Sequence, residues 1–535
     1  MSLNRRLPSV RTSHFAMVPR GDVPRSKQTT QHTYKTTMDA GKLVPFYLEE
    51  MLPGDTFQGE VTVFARLQTL LFPLMDNLEL ESFFFFTPNR ILWTNWEKFM
   101  GAQDNPADSI AFTIPTVPAP PGGFAVGSVY DYFGLPCQGQ LLAGNTINVN
   151  ALPLRAYNRI FNDWFKDEDL DNNLLEHLGD APDPNTSYTL QTRRKKHDYF
   201  TSCRPWAQKG GVAVPFPLGT SAPVIPSSTH AVPTWWNTAP GSAAGALTRA
   251  AAGAGTAVNI QNPGNAGSTL GWDTTGLIAD LNAATGTSVN ALRTAMATQQ
   301  LLEKDARGGT RYTEFLRNHF GVNPEDSRLQ RPEYVGGGRT LIETQAMPQT
   351  SVTGATPLGA LAGAAAVTDR HKFSYSATEH GYIMGIVNVR ADITYQQGVS
   401  RLWSRSTRYD FYLPVFANLG EQAVLNKELY VDGSANDTAV FGYQERWAEY
   451  RYFPSMLTGL FRSRSAGTID PWHLSQNFTS LPALNTSFIS ENIPLSRALA
   501  AGTGANGMQV LFDSFFRISR TRPIPVFSVP GLKRF

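Results

Sequence analysis

Four consecutive phenylalanines, Phe83 to Phe86, limit what this chain can become more than any other feature. They close the run LELESFFFF (78–86), in which Leu78, Leu80, Ser82, Phe84 and Phe86 alternate with Glu79, Glu81, Phe83 and Phe85. Successive residues of a strand point to opposite faces, so one face begins polar and both finish apolar. Such a segment needs cover on both sides, and an aromatic run without a convergent polar group is core before it is a ligand box. A second β-type run at about 58 to 70 precedes it, separated by Pro73 and Asp76-Asn77. The two form either a strand pair or a unit that crosses between sheets.

β signals return late, in EHGYIMGIVNVRADITY (379–395) and MQVLFDSFFRISRTRP (508–523). Between them lie helical patterns. PLRAYNRIFNDWFK (153–166) repeats Tyr157, Ile160, Phe161 and Trp164 at spacings of three and four, behind a first-turn Pro153. ATQQLLEKDARGGTRYTEFLRNHFG reads as two short helices broken, or one kinked, at Gly308-Gly309. Strands flanking a helical middle fit a mainly β fold, an antiparallel β-sandwich with long inserted connections, better than alternating βαβ units.

Composition divides the chain further. Residues 1–38 are rich in Ser, Thr, Gln and Pro and lack apolar periodicity, which predicts an extended basic arm and not a packed element. Residues 39–209 carry the first part of the β body with its helical insertion. Residues 210–297 are an Ala/Gly/Thr-rich insertion with few large aliphatic side chains, in which Trp235, Trp236 and Trp272 serve either as local core anchors or as surface recognition aromatics. Residues 298–535 complete the β body, interrupted by a smaller Ala/Gly-rich loop at about 350 to 367, and end in a basic segment.

Charge is sparse and uneven. Only 17% of residues are charged, against about 25% in ordinary soluble domains, which favours an oligomer that buries much of its exterior against its own copies. The net charge of +2 conceals basic ends. Arg5, Arg6, Arg11, Arg20, Arg25, Lys27 and Lys35 face one acid, Asp22, and Arg517, Arg520, Arg522, Lys533 and Arg534 face none, so the ends carry +11 and the rest −9. A polyanion is the natural partner, because each phosphate neutralised releases a counterion. The nearby aromatics Phe15, Tyr34, Phe516 and Phe527 are placed either to stack on unpaired bases or to pack in the ordinary way.

The same residues exclude several classes. Two cysteines, Cys137 and Cys203, make neither a disulfide framework nor a zinc site, which suits synthesis in a reducing cytoplasm. No signal peptide and no membrane span is present, so no membrane insertion is expected. Asp167, Asp169 and Asp171 mimic a calcium loop, but Asn172 replaces its glycine and Leu178 its glutamate, leaving a solvated acidic loop as the expectation and no metal. Gly336-Gly337-Gly338 lacks the lysine of a phosphate loop and suggests a turn. His371 and His380, nine apart, do not share a face. With no catalytic constellation and no cofactor motif, the chain is not expected to be an enzyme.

Longer stretches carry a resemblance. RLQRPEYVGGGRTLIETQ (328–345), EHGYIMGIVNVRADITYQQG (379–398), RLWSRSTRYDFYLPVFANLGEQAVLNKELY (401–430), FFFFTPNRILWTNWEKFMG, HDYFTSCRPWAQKG and VFSVPGLKRF closely resemble major capsid proteins of gokushoviruses, small icosahedral single-stranded DNA phages of the Microviridae. The resemblance covers most of the chain in order, except 210–297. It implies a single eight-stranded jelly roll, sixty copies in a T=1 shell around circular single-stranded DNA, and an insertion that forms a threefold protrusion contacting a host surface receptor. It also implies a separate small basic packaging protein. Sixty copies would bring 660 terminal positive charges, whereas merely encoding 535 residues needs 1605 nucleotides, so the ends cannot neutralise a genome alone. A phage spike or receptor-binding protein is the first rival, and a β-sandwich polysaccharide hydrolase a distant second.

Overall fold

In a computed structural model, the structure describes residues 24–103, 105–107, 111–142, 144–210, 289–307, 330–354, 356–502 and 509–527, with 224–226, 235–237, 270–272, 277–279 and 318. Eight strands form one antiparallel sheet: β1 (Ser26–Met38), β2 (Val44–Met51), β3 (Thr56–Leu67), β4 (Leu78–Pro88), β5 (Glu333–Pro348), β6 (Leu361–Ser376), β7 (Gly381–Ala391) and β8 (Val510–Arg522). Their order is β1-β8-β3-β6-β5-β4-β7-β2. The sheet folds on itself between β6 and β5, giving a layer β1-β8-β3-β6 and a layer β5-β4-β7-β2, the strand order of a jelly roll. β3 and β4 do not pair with each other; their connection crosses between layers.

The two open edges nearly close through side chains. Tyr34 on β1 donates to the Pro45 carbonyl on β2 at 3.4 Å, and the His32 ring stacks on Phe516 and Tyr47 with centroids 4.7 and 6.0 Å away. Between the layers lies the main core, including Phe46, Phe57, Val61, Val63, Phe84, Phe86, Phe373, Ile383, Val387, Phe512 and Phe516. Each fully buried Phe contributes roughly 1.5–3 kcal/mol.

The two layers are clothed very differently. β4 and β7 are buried along nearly their whole length on both faces. Phe84 and Phe86 enter the main core, while Phe85 joins a second core with Trp93, Tyr157, Phe161 and Met384, and Phe83 packs against it. That second core is built by α1 (Leu152–Ile160), which continues as one wide turn through Phe161–Phe165. The buried Arg155 fixes α1 to its surroundings, donating twice to Asp183 at 2.8 Å and once each to the Leu92 and Gly179 carbonyls. Among the described residues, the outer face of β1-β8-β3-β6 carries no comparable cover.

Several expectations change. Residues 26–38 are not an unpacked arm: all thirteen pair with β8, from Ser26↔Arg522 to Met38↔Val510. Their Thr-rich alternation has strand propensity but an almost entirely polar outer face, so apolar periodicity missed them. The Ala/Gly-rich stretch expected as a loop is loop only to residue 360, because 361–367 begin β6. There Gly363 permits close approach, since a Cβ would come within 2.9 Å of the Phe72 carbonyl oxygen. The triple glycine is mid-strand, not a turn. Gly336 and Gly337 have φ of +150° and +153° at the register shift between β5 and β4.

The acidic loop is not simply solvated either. Asp167 accepts from the Asp169 and Leu170 amides, Asp169 pairs with Arg204, and the buried Asp171 lies 2.5 Å from Arg194. The inserted part forms its own compact unit, Gln208–Phe320, longer than the expected 210–297 because it takes in helix α2 (Val289–Arg307). α2 is described to Arg307, just before the expected break at Gly308-Gly309, and the second helical stretch lies outside the described residues save for residue 318. Within the unit, Trp235 pairs with Trp272 across a short two-stranded ladder, with Trp236 opposite Gly271.

Candidate nucleic-acid interface

The uncovered layer presents six rungs. Gln31, Arg517, Glu60 and Lys372 stand in one row; Thr33, Phe515, Thr62 and Arg370 in the next; Lys35, Asp513, Phe64 and Thr368 in a third. Lys27 lies toward one end of the same face, in a row with Thr521, Thr56 and Ser376, and Arg66 toward the other, in a row with Thr37, Leu511 and Ala366. None of the outward residues from Lys27 to Thr37, Thr56 to Arg66, Ala366 to Ser376 or Leu511 to Thr521 is buried. Period-two alternation explains this: the inward partners, such as Phe57, Val61, Val63, Phe373 and Phe516, fill the core, and everything between them faces out.

Six cations on this face meet two acids. Lys35 lies 2.7 Å from Asp513 and Arg370 3.5 Å from Glu60, both largely exposed pairs. Among the described residues, Lys27, Arg66, Lys372 and Arg517 have no ion-pair partner. Phe64 and Phe515 are 44% and 42% exposed, unusual for aromatics on a strand, and occupy diagonal positions on neighbouring strands. A flat polar sheet bearing unpaired cations and exposed rings can bind a single-stranded polyanion, its phosphates on the cations and its bases on the rings.

The residues singled out from sequence divide by parity. Lys27 and Lys35 lie on the open face, and Arg25 donates to the Gly54 carbonyl at its margin. Arg520 and Arg522 do not join them. Arg520 lies 2.6 Å from Glu49, and Arg522 lies 3.4 Å from Glu49 and 3.2 Å from Asp55, with both guanidiniums against the Phe57 ring. Arg5, Arg6, Arg11, Arg20, Lys533 and Arg534 lie outside the described residues. Tyr34 and Phe516 prove to be ordinary packing, whereas Phe527 is 86% exposed. Arg66, Arg370, Lys372, Phe64 and Phe515 were missed; their signal was an exposed parity, readable only once the core parity of each strand is fixed.

The densest cationic run, Arg193 to Lys196, is consumed internally. Arg193 pairs with Glu81, Arg194 with Asp171, and Lys196 with Glu79 and Asp392. Lys195 donates to Gln476 at 2.8 Å beneath the Phe488 ring. Burial pushes the Lys195 ammonium down to about 8; burial and then the neighbouring Arg390 push Arg193 down to about 9.

Comparison with known proteins decides the family. Residues 16–532 match the phage family described as "Capsid protein (F protein)". The chain belongs to that family. It is 45% identical over 528 residues to capsid protein VP1 of Bdellovibrio phage phiMH2K, covering 97% of each chain. Capsid protein VP1 of Chlamydia phage 1 is 41% identical over the full length of both, and that of Spiroplasma virus 4 is 34% identical over 98% of each. The gokushovirus resemblance therefore holds, and this is a structural coat protein of the virion and not an enzyme. A coat protein of this family assembles with the genome inside its shell, so a face suited to single-stranded DNA has a partner at hand. Among the described residues, no helix is long and apolar enough to cross a membrane.

Proposed function

We propose that sixty copies build a T=1 shell around circular single-stranded DNA, with the uncovered β1-β8-β3-β6 face turned inward against the genome. The observation that carries this reading is the pairing of unpartnered Lys27, Arg66, Lys372 and Arg517 with exposed Phe64 and Phe515 on one bare sheet face. Copy number and shell geometry are what the gokushovirus resemblance implies. Arg5, Arg6, Arg11, Arg20, Lys533 and Arg534, which in sequence precede β1 or follow β8, would add phosphate contacts. The remaining genome charge falls to cations and a small basic packaging protein.

The 208–320 unit is the proposed threefold protrusion, with Trp235, Trp236 and Trp272 as candidates for contact with a host receptor. The chain would be made in the bacterial cytoplasm and assembled there. Electron microscopy of native particles with nuclease protection tests the reading: closed round shells holding protected single-stranded DNA are expected. Discrete trimers free of DNA would replace it with a spike.

A further inference from the structure

Exposed apolar side chains are not spread evenly over this molecule. Of the thirty-six large hydrophobic side chains exposed among the described residues, fourteen fall between Leu402 and Leu460. Trp403 is 80% exposed, Val415 83%, Phe453 83% and Met456 73%. Scattered surface hydrophobics are normal, but a contiguous patch beyond a few hundred Å² marks an interaction site.

Parts of this surface are joined and held in shape. The Tyr412 ring meets Trp447 edge-on at 5.6 Å and Tyr450 at 6.3 Å, and the Tyr412 amide donates to the Tyr450 hydroxyl at 3.3 Å. Arg405 lies over the Tyr450 and Phe411 rings at 4.4 and 5.4 Å. Trp403 and Met456 line one groove of about 250 Å³ with Tyr452 and Tyr199 at its wall. Trp447 is buried, donates its indole N–H to the Phe416 carbonyl at 3.1 Å, and holds φ +68°, a left-handed conformation costly for a bulky residue. Asp410 locks the start of the loop by accepting from the Ser406 and Thr407 amides at 3.0 and 2.7 Å. These loops are built to present apolar groups, not to hide them.

Charge and area identify the occupant. Residues 401–464 hold eight Arg or Lys against seven Asp or Glu, so nothing in the patch favours a polyanion, unlike the open sheet face. Six exposed aromatics here, each offering roughly 120 Å² at these exposures, give about 700 Å² before any aliphatic is counted. That approaches the roughly 800 Å² per partner of a standard stable interface. In a coat protein that must pack against its own kind, the partner of this chemistry is a second copy.

We infer that the surface formed by residues 402–419 and 447–460 is a contact between copies of this chain, with the Trp403–Met456 groove receiving apolar side chains of the neighbour. This rests on the shell reading but is separable from it. The test is sedimentation velocity of the full chain and of the Trp403→Ser, Phe453→Ser double variant, both positions being largely exposed. Self-association at least tenfold weaker is expected, with an unchanged thermal unfolding midpoint. Equal association of variant and unsubstituted chain would overturn the inference.

A second measurement does not depend on the serine variant folding. A photo-crosslinking benzoylphenylalanine at position 403, in a mixture of isotopically light and heavy chains, should give light–heavy adducts. Adducts confined to one chain, for instance to residues 1–23 or 528–535, would overturn it. Closed shells without light–heavy adducts would remove this contact and leave the shell reading intact. Discrete oligomers joined by such adducts would remove the shell and leave the contact.

Discussion

Arg520 and Glu49 lie 2.6 Å apart and bind β8 of one layer to β2 of the other across the nearly closed rim of the sandwich. Glu49 also accepts from the Tyr47 hydroxyl and lies 3.4 Å from Arg522, so this carboxylate is a hub for three side chains. The two arginines therefore hold the barrel and do not reach for a ligand. Arg520→Ala should lower unfolding stability by about 1–3 kcal/mol, the cost of leaving a mostly buried carboxylate short of its partner. Its single-stranded DNA affinity per folded molecule should be unchanged. Chemical denaturation and oligonucleotide anisotropy, run side by side, check both halves.

The open sheet face makes the opposite prediction. Arg517→Ala and Lys372→Ala should leave stability within about 0.5 kcal/mol, as exposed positions do. Each should flatten the log–log salt dependence of single-stranded DNA binding by about 0.7. Phe64→Ala should weaken binding by roughly 1–3 kcal/mol with the salt slope intact, because stacking releases no counterions. Anisotropy titrations with oligo-dT at several salt concentrations separate the two effects.

Gly337 tests the strand-borne glycine run. At φ +153°, a Cβ there would stand 2.1 Å from the Ser82 carbonyl oxygen, backbone that cannot move without breaking the β4–β5 ladder. Gly337→Ala should cost at least about 3 kcal/mol and reduce soluble yield, as read from urea midpoints.

His371 gives the chain a pH dependence. Its ring is buried on β6; Nδ1 lies 2.6 Å from the Ser82 hydroxyl and Nε2 3.0 Å from the Thr340 hydroxyl. Thr340 donates its own proton to Asp369 at 2.5 Å, so Nε2–H donates to Thr340 and Nδ1 accepts from Ser82, a neutral ring fully satisfied. Burial lowers its pKa, outweighing the opposing pull of Asp369. The unfolded chain therefore takes up a proton near pH 6.5 that the folded chain refuses. The His371 contribution is complete above that pH and is lost on acidification, by up to about 1.4 kcal/mol per pH unit. His371→Gln should remove that part of the slope from denaturation midpoints measured between pH 7 and 5.

The sandwich was legible where apolar residues alternate. Phe83–Phe86 lie in a strand covered on both sides as expected, strands form within the 379–395 and 508–523 runs as Gly381–Ala391 and Val510–Arg522, and the helix expected at 153–166 runs from 152 to 165. β1 was not legible, because its outer parity is Thr, Gln and Lys, and its inner parity is supplied with only Tyr34 and Met38 as large apolar groups. The candidate site was half legible for the same reason. Net charge pointed to residues 517–522, but which of those cations stays free depends on facing Glu49 and Asp55, residues some 470 positions away in sequence.

The place of β8 between β1 and β3 sets the order of events during synthesis. A ribosome that has made the first 509 residues has made a sheet with one slat missing and two facing open edges. β1 has no sheet partner until Val510–Arg522 emerge, and the bare face that spans all four strands does not exist before then. Long-range pairing of this kind is slow and comes late. Prematurely terminated chains therefore lack both a finished rim and a finished open face, so the fold itself marks fragments as incomplete.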